Sequence, residues 1–170
     1  ERPLPKIFRL VKNGKLIQGV YEGETLNTPS MFCVADALDS LMWIKEIGGL
    51  TETIQRSNEN FQCLQGWVDK TPWIENLVSD PSNRSNTSVC LKFSDKRFIE
   101  LNQDEKNRFV KEFVGRLEDE KAAFDIKGHR NAPAGLRIWC GATINLDDIQ
   151  KLLPWLEWCF QETVSSFWGN

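Results

Sequence analysis

Ser88-Val89-Cys90-Leu91-Lys92-Phe93 follows a polar loop at 79–86 and reads as a buried strand. Residues 103–120 come next and carry Phe109, Val110, Phe113, Val114 and Leu117 on one stripe, the spacing of a helix with a single apolar face. Ala122-Ala123-Phe124-Asp125-Ile126 is a further strand candidate, and Leu136-Arg137-Ile138-Trp139-Cys140 is another. Asn145 then caps a last helix, with Asp147 and Asp148 in its first turn, where they meet the positive end of the helix dipole. That helix presents Ile149, Leu152, Leu153, Leu156 and Phe160, and Pro154 is expected to kink it. Upstream, residues 74–78 read as a strand. From about residue 72 the order is strand, strand, helix, strand, strand, helix, which places the chain in the α/β class and predicts a small α/β sandwich with helices on one face.

The first 70 residues differ in kind. Ile7-Phe8-Arg9-Leu10-Val11 and Leu16-Ile17-Gln18-Gly19-Val20-Tyr21 are short apolar runs separated by Asn13-Gly14, a turn signal that predicts a hairpin or an irregular extended segment. Thr28 as N-cap and Pro29 at the first helical position introduce Met31, Val34, Ala35, Leu38, Leu41 and Met42 at helical spacing, with an end expected at Gly48-Gly49. Thr51 caps a second predicted helix carrying Ile54, Phe61, Leu64, Trp67 and Val68, which Thr71-Pro72 stops. These helices look like the edge of another domain, with the second as a rigid connector at the boundary. The chain opens at Glu1 without a methionine, and Pro3 and Pro5 favour an extended entry, so a truncated or processed chain is expected.

A net charge of −3 and the lack of a basic stripe give no electrostatic reason to expect nucleic acid. No apolar run approaches the roughly 20 residues of a bilayer span, and residues 1–30 carry no signal pattern. Cys33, Cys63, Cys90, Cys140 and Cys159 are odd in number and contain no C-x-x-C pair, which fits buried free thiols in a reducing cytosol. With a single histidine, no metal site is expected. The sequons at Asn83 and Asn86 are then chance matches.

Gly128-His129-Arg130 and Gly135-Leu136-Arg137 form the densest polar cluster, two arginines and the only histidine around a loop that contains Pro133 and enters a strand. Paired guanidinium forks with an imidazole suit a dianionic small molecule, while the plainer reading is solvated loop charge. Asn27-Thr28-Pro29 stands where an extended segment meets a helix, a place that serves either as an ordinary cap or as a phosphate site. Arg84 reads as a loop surface arginine. The tryptophans show no aromatic cage pattern, and most are expected in the core or an interface. No Ser/His/Asp set, Walker loop or G-x-G-x-x-G is present, so no catalytic residue is assigned.

Taken together, Leu26-Asn27-Thr28-Pro29-Ser30-Met31, Arg84-Ser85-Asn86-Thr87-Ser88-Val89 and Gly128-His129-Arg130 to Gly135-Leu136-Arg137-Ile138-Trp139 resemble the C-terminal portion of phosphoserine aminotransferase in order and spacing. The similarity spans nearly the whole chain and looks closest to the branch of alphaproteobacteria and some archaea, where Pro-Leu-Pro-Lys-Ile-Phe-Arg-Leu and Leu-Arg-Ile-Trp-Cys-Gly-Ala-Thr also occur. The resemblance implies a class V, fold-type I transferase that uses pyridoxal 5'-phosphate in L-serine biosynthesis in the cytoplasm. It implies a homodimer with active sites between subunits. It also implies a division into residues 1–50, the end of the large cofactor domain, and residues 51–170, a connector helix and the small domain.

By the same resemblance Asn27 and Thr28 bind the phosphate of the cofactor held by the partner subunit. His129 and Arg130 grip the phosphate of phosphoserine or the side-chain carboxylate of glutamate, and Arg137 binds the α-carboxylate. The reaction is reversible amino transfer between glutamate and 3-phosphohydroxypyruvate, giving 2-oxoglutarate and phosphoserine. In the family the cofactor-binding lysine, the aspartate that pairs with the pyridine nitrogen and the aromatic that stacks on the ring precede the Asn-Thr pair. Nothing before Asn27 matches them, and Lys6, Lys12 and Lys15 stand in the wrong context, so the chain alone is expected to be inactive. The loop between Arg130 and Arg137 has one residue more than in the common bacterial branch. Two other readings are a different class V enzyme, such as the alanine-glyoxylate type, which does not need His129 with Arg130, and a non-catalytic α/β module that binds a phosphorylated acid.

Overall fold

The computed structural model describes residue 5 and residues 8–169, which fall into two units, 1–46 and 47–170. In the first unit, β1 (Val11–Lys12) and β2 (Lys15–Leu16) pair antiparallel across Asn13 and Gly14. Their φ values of 53° and 74° are the two positive angles a tight hairpin turn needs. The hairpin is shorter than the two apolar runs, and Ile7 lies outside the described residues. Beyond Leu16 the expected extended run becomes a 3₁₀ turn, Gln18–Tyr21, because the N–H groups of Glu22 and Glu24 both fold back to the Gly19 carbonyl.

Helix α1 (Met31–Glu46) starts later than Thr28-Pro29 suggests. Ser30 accepts from the Val34 N–H through its carbonyl, at 3.1 Å, and from the Cys33 N–H through its hydroxyl, at 3.4 Å. Ser30, not Thr28, therefore does the capping. No residue of α1 is buried, and Met31 and Phe32 are 74% and 83% exposed. Gly48 and Gly49, at φ 118° and 77°, stop the helical path where the glycine pair predicts.

The second unit comprises α2 (Gly49–Val68), β3 (Ile74–Asn76), β4 (Ser88–Phe93), α3 (Lys96–Glu100), α4 (Gln103–Asp119), β5 (Gly135–Trp139) and α5 (Leu146–Trp168). Its sheet has the order β3-β4-β5, antiparallel throughout, with Leu91 opposite Leu136 and Val89 opposite Ile138. Those four residues and Phe93 are buried in the core shared with α2, α4 and α5, whereas Cys90, Lys92 and Arg137 on the other face are half-buried. The predicted stripe of α4 is buried in full, and its start is a capping box between Asn102 and Glu105. Leu64 and Val68 of α2, and Ile149, Leu152, Leu156 and Phe160 of α5, are buried as predicted, while Leu153 is half-buried. Helix α5 continues through Pro154.

Several expectations fail. Residues 122–126 form no strand: the N–H groups of Ala122 and Ala123 return to the Leu117 carbonyl, and Lys121 and Asp125 take φ of 57° and 53°, which breaks an extended path. Only a single bridge, Lys127 to Leu136, follows. The short α3 is unforeseen, and Asp95 caps it by accepting from the Arg97 N–H. Helix α2 is entered from Gly48 in the left-handed region, so Thr51 is already inside it, and Ile54 is exposed. Asn145 precedes α5 but makes no capping bond, because its side chain is engaged by Arg56 and Asp148. Cys33 is exposed, whereas burial pushes the Cys140 and Cys159 thiols up to about 12 and about 11, which leaves them protonated and inert.

Polar groups tie the layers together. Asn60 on α2, 1% exposed, donates to the Ile144 carbonyl at 2.9 Å and more loosely to those of Cys140 and Gly141. Arg56 donates to the Ala142 carbonyl at 2.9 Å. Trp73 stacks on Phe160 with ring centroids 4.1 Å apart, and its indole N–H, like that of Trp67, is taken by Glu157.

Asn60→Ala strips these buried carbonyls of their donor and is expected to cost about 1–3 kcal/mol in denaturant unfolding. In hydrogen exchange the amides of α1 are expected to exchange well ahead of those of β5, since a helix without buried residues lacks the packing that stabilises helices of its length. Equal protection of the two segments would contradict this.

Candidate functional site

Arg137 is carried by β5, and the strand can pass there only because residue 135 has no side chain: a Cβ on Gly135 would overlap the Leu91 carbonyl. Pairing with β4 then sends Leu136 and Ile138 to the core and Arg137 and Trp139 to the opposite face. Around β5, Arg137, Trp139, Ser88, Phe124, Asp125 and Asp148 line a groove together with core-side residues such as Ile138 and Ile149. The Arg137 guanidinium donates to Asp125 at 3.1 Å, its one hydrogen bond among the described residues. Trp139, 53% exposed, lies over Gly141, where a side chain would strike its ring, and donates from its indole to the Thr143 hydroxyl.

His129 and Arg130 lie on the loop that leads into this strand, and both are exposed. The Gly128 N–H donates to the Gly135 carbonyl at 3.0 Å and closes the loop at its base. A turn from His129 to Ala132, held by a 2.8 Å backbone bond, shapes its start. The Asn131 N–H donates to His129 Nδ1 at 3.2 Å, which places the proton of the neutral ring on Nε2 and leaves that N–H as a donor. Arg130 makes no hydrogen bond or ion pair to any described residue. Neither His129 nor Arg130 is among the residues lining the Arg137 groove, so the strand-borne arginine and the loop-borne pair are linked by the loop closed at Gly128 and Gly135 and by no side-chain hydrogen bond among the described residues.

Asn27 and Thr28 belong to the first unit, and both are exposed. Because Ser30 caps α1, neither the Asn27 amide nor the Thr28 hydroxyl makes a hydrogen bond to a described residue, and both remain able to donate to an oxyanion. Arg84 is different: its guanidinium donates to the Val78 and Ser79 carbonyls at 2.8 and 2.9 Å and closes its own loop. Asp125, Trp139 and Ser88 were not foreseen as groove residues. Alternation along β5 from Arg137 to Trp139 was a signal for the second; Asp125 was hidden inside a stretch read as strand.

No family profile matches the chain. A phosphoserine aminotransferase of Methanosarcina mazei is 46% identical over 158 residues, and one of Methanosarcina barkeri is 48% identical over the same length, each covering 93% of this chain and 40% of the relative. Solved phosphoserine aminotransferases share the fold. The structure from Bacillus circulans subsp. alkalophilus has a TM-score of 0.68 at 23% identity, over 84% of this chain and 36% of that one. A pyridoxal-phosphate-bound enzyme from Trichomonas vaginalis has a TM-score of 0.67 at 22% identity, over 81% and 36%. The chain spans about two fifths of the length of the curated relatives it matches. Close identity along nearly all its length, together with the shared fold, places this chain in the phosphoserine aminotransferase family.

Proposed function

We propose that the chain supplies the substrate-recognition side of a phosphoserine:2-oxoglutarate aminotransferase of L-serine biosynthesis that works as a cytoplasmic homodimer. What carries this reading is the 46% and 48% identity to relatives of that name, and it is supported by a strand-borne Arg137 whose entering loop carries His129 and Arg130. Arg137 takes the α-carboxylate common to phosphoserine and glutamate. His129 and Arg130 take the group at the far end of the substrate, phosphate in one case and side-chain carboxylate in the other. The two compact units support the reading of residues 1–50 as the end of a cofactor domain and of 51–170 as connector helix and small domain.

Pyridoxal 5'-phosphate fits the donors present: the Asn27 amide and Thr28 hydroxyl are both uncommitted and suit its phosphate in the site of a partner subunit. When bound it supplies the electron sink for amino transfer. The chain's own residues bind and orient the substrate. They are not expected to hold the cofactor covalently, because in the family the lysine that does so precedes the Asn-Thr pair, and Lys12 and Lys15 pair across an exposed two-strand hairpin; Lys6 lies outside the described residues. Adding the cofactor to the 170-residue chain is therefore expected to give no borohydride-stable attachment to a single lysine, as read by mass spectrometry.

Selectivity tests the two arginine roles in the whole protein. Arg130→Ala is expected to lower kcat/KM for phosphoserine by about tenfold to a hundredfold, the loss of one charge-assisted contact, and to affect serine little. Arg137→Ala is expected to weaken both amino acids to a similar degree, because each presents the same α-carboxylate. His129→Ala should follow Arg130→Ala in milder form. If Arg137→Ala spares serine while Arg130→Ala lowers both, the roles are interchanged.

A further inference from the structure

We propose that Asp125 is a displaceable internal counter-ion of Arg137 that competes with the substrate α-carboxylate for the guanidinium. The inference rests on the function proposed above. Backbone connections deliver the carboxylate to its place. On one side the Ala122 and Ala123 N–H groups are bonded to the Leu117 carbonyl at 2.9 and 3.3 Å. On the other, Ile126 is anchored in the core, 6% exposed, and its carbonyl accepts the Arg137 N–H at 2.7 Å. Asp125 is thus fixed next to the residue that is bonded to Arg137 itself. Its φ of 53° lies in the left-handed region, which aspartate and asparagine tolerate better than most side chains.

The pair is built to be exchanged. It has one N–H···O contact, and its side chains are 39% and 87% exposed for Arg137 and Asp125. A solvated single contact of this kind holds weakly, whereas an α-carboxylate can take the guanidinium through two parallel bonds. Asp125 therefore lowers the affinity for every ligand that presents an α-carboxylate, by the same factor for phosphoserine and for glutamate. It does not discriminate between them, because it acts at the end of the substrate that they share.

Calorimetric titration of phosphoserine and of glutamate into the whole protein and its Asp125→Asn, Asp125→Gly and Arg137→Ala variants tests this. Asparagine keeps the shape and the backbone conformation without the charge, and glycine removes any backbone constraint. Both variants are expected to bind both ligands about two- to fivefold tighter at low ionic strength, with the gain shrinking as salt rises. Unchanged or weaker binding in both variants overturns the proposal; parallel loss of both ligands in Arg137→Ala then shows that the underlying reading of Arg137 survives. If Arg137→Ala binds like the unaltered protein, Arg137 is not the carboxylate site and both readings fail together.

Discussion

Much of the second unit depends on a backbone approach that admits no side chain. Gly135 sits opposite Lys92, and its missing Cβ is what allows β5 to run against the Leu91 carbonyl. A slip of one residue would exchange the faces of the strand, taking Leu136 and Ile138 out of the core and putting a guanidinium in their place. The burial of those two residues, at 1% and 2% exposure, makes that exchange costly. The same glycine carbonyl receives the Gly128 N–H and so closes the loop of His129 and Arg130. Register, side-chain direction and loop closure thus follow from a single steric condition.

Rigidity behind the strand has a different origin. The turn from β5 into α5 has buried and part-buried carbonyls, and α2 donates to them from Asn60 and Arg56. Glu157 on α5 does the converse, accepting from the Trp67 and Trp73 indoles that flank the end of α2. Buried polar groups of this kind stabilise one arrangement of helices over others only when they are fully paired, and here each has its partner. The groove side of the sheet, by contrast, carries exposed ion pairs such as Glu75 with Lys92 and Asp125 with Arg137, which add little stability and leave charged ends available.

How far the sequence could be read depended on how local each signal was. The stripe of α4 and the apolar residues of β4 are recoverable because a burial period repeats several times within one element. Residues 122–126 have strand-like composition, yet what decides their path is the Leu117 carbonyl and two left-handed residues, neither of which leaves a periodic trace. Thr28 and Thr51 each looked like caps; the Ser30 hydroxyl takes the first position, and at the second the left-handed Gly48 sets where the helix can start. The arginines and the histidine were legible because they cluster visibly between Gly128 and Arg137 in the sequence. Asp125 was not, since its importance comes only from the backbone bond between Ile126 and Arg137.

The placement of the two arginines and the histidine has a consequence for specificity within the proposed function. Arg137 stands on a strand anchored on both sides by buried neighbours, so its position varies little, and it meets the part of the substrate that never changes. His129 and Arg130 stand on a loop fixed at its base, where the Arg130 side chain has no hydrogen bond or ion pair to a described residue, and in the proposed function they meet the part that differs between a phosphate and a carboxylate. A tetrahedral dianion and a planar carboxylate, each three bonds from Cα, differ in shape and charge and are not gripped by one rigid pair of donors in the same geometry. Putting the invariant contact on the sheet and the variable contact on the loop lets one site serve both substrates. The same arrangement explains why an exchangeable partner such as Asp125 belongs on the invariant side, where it scales both affinities together and leaves the choice between substrates to the loop.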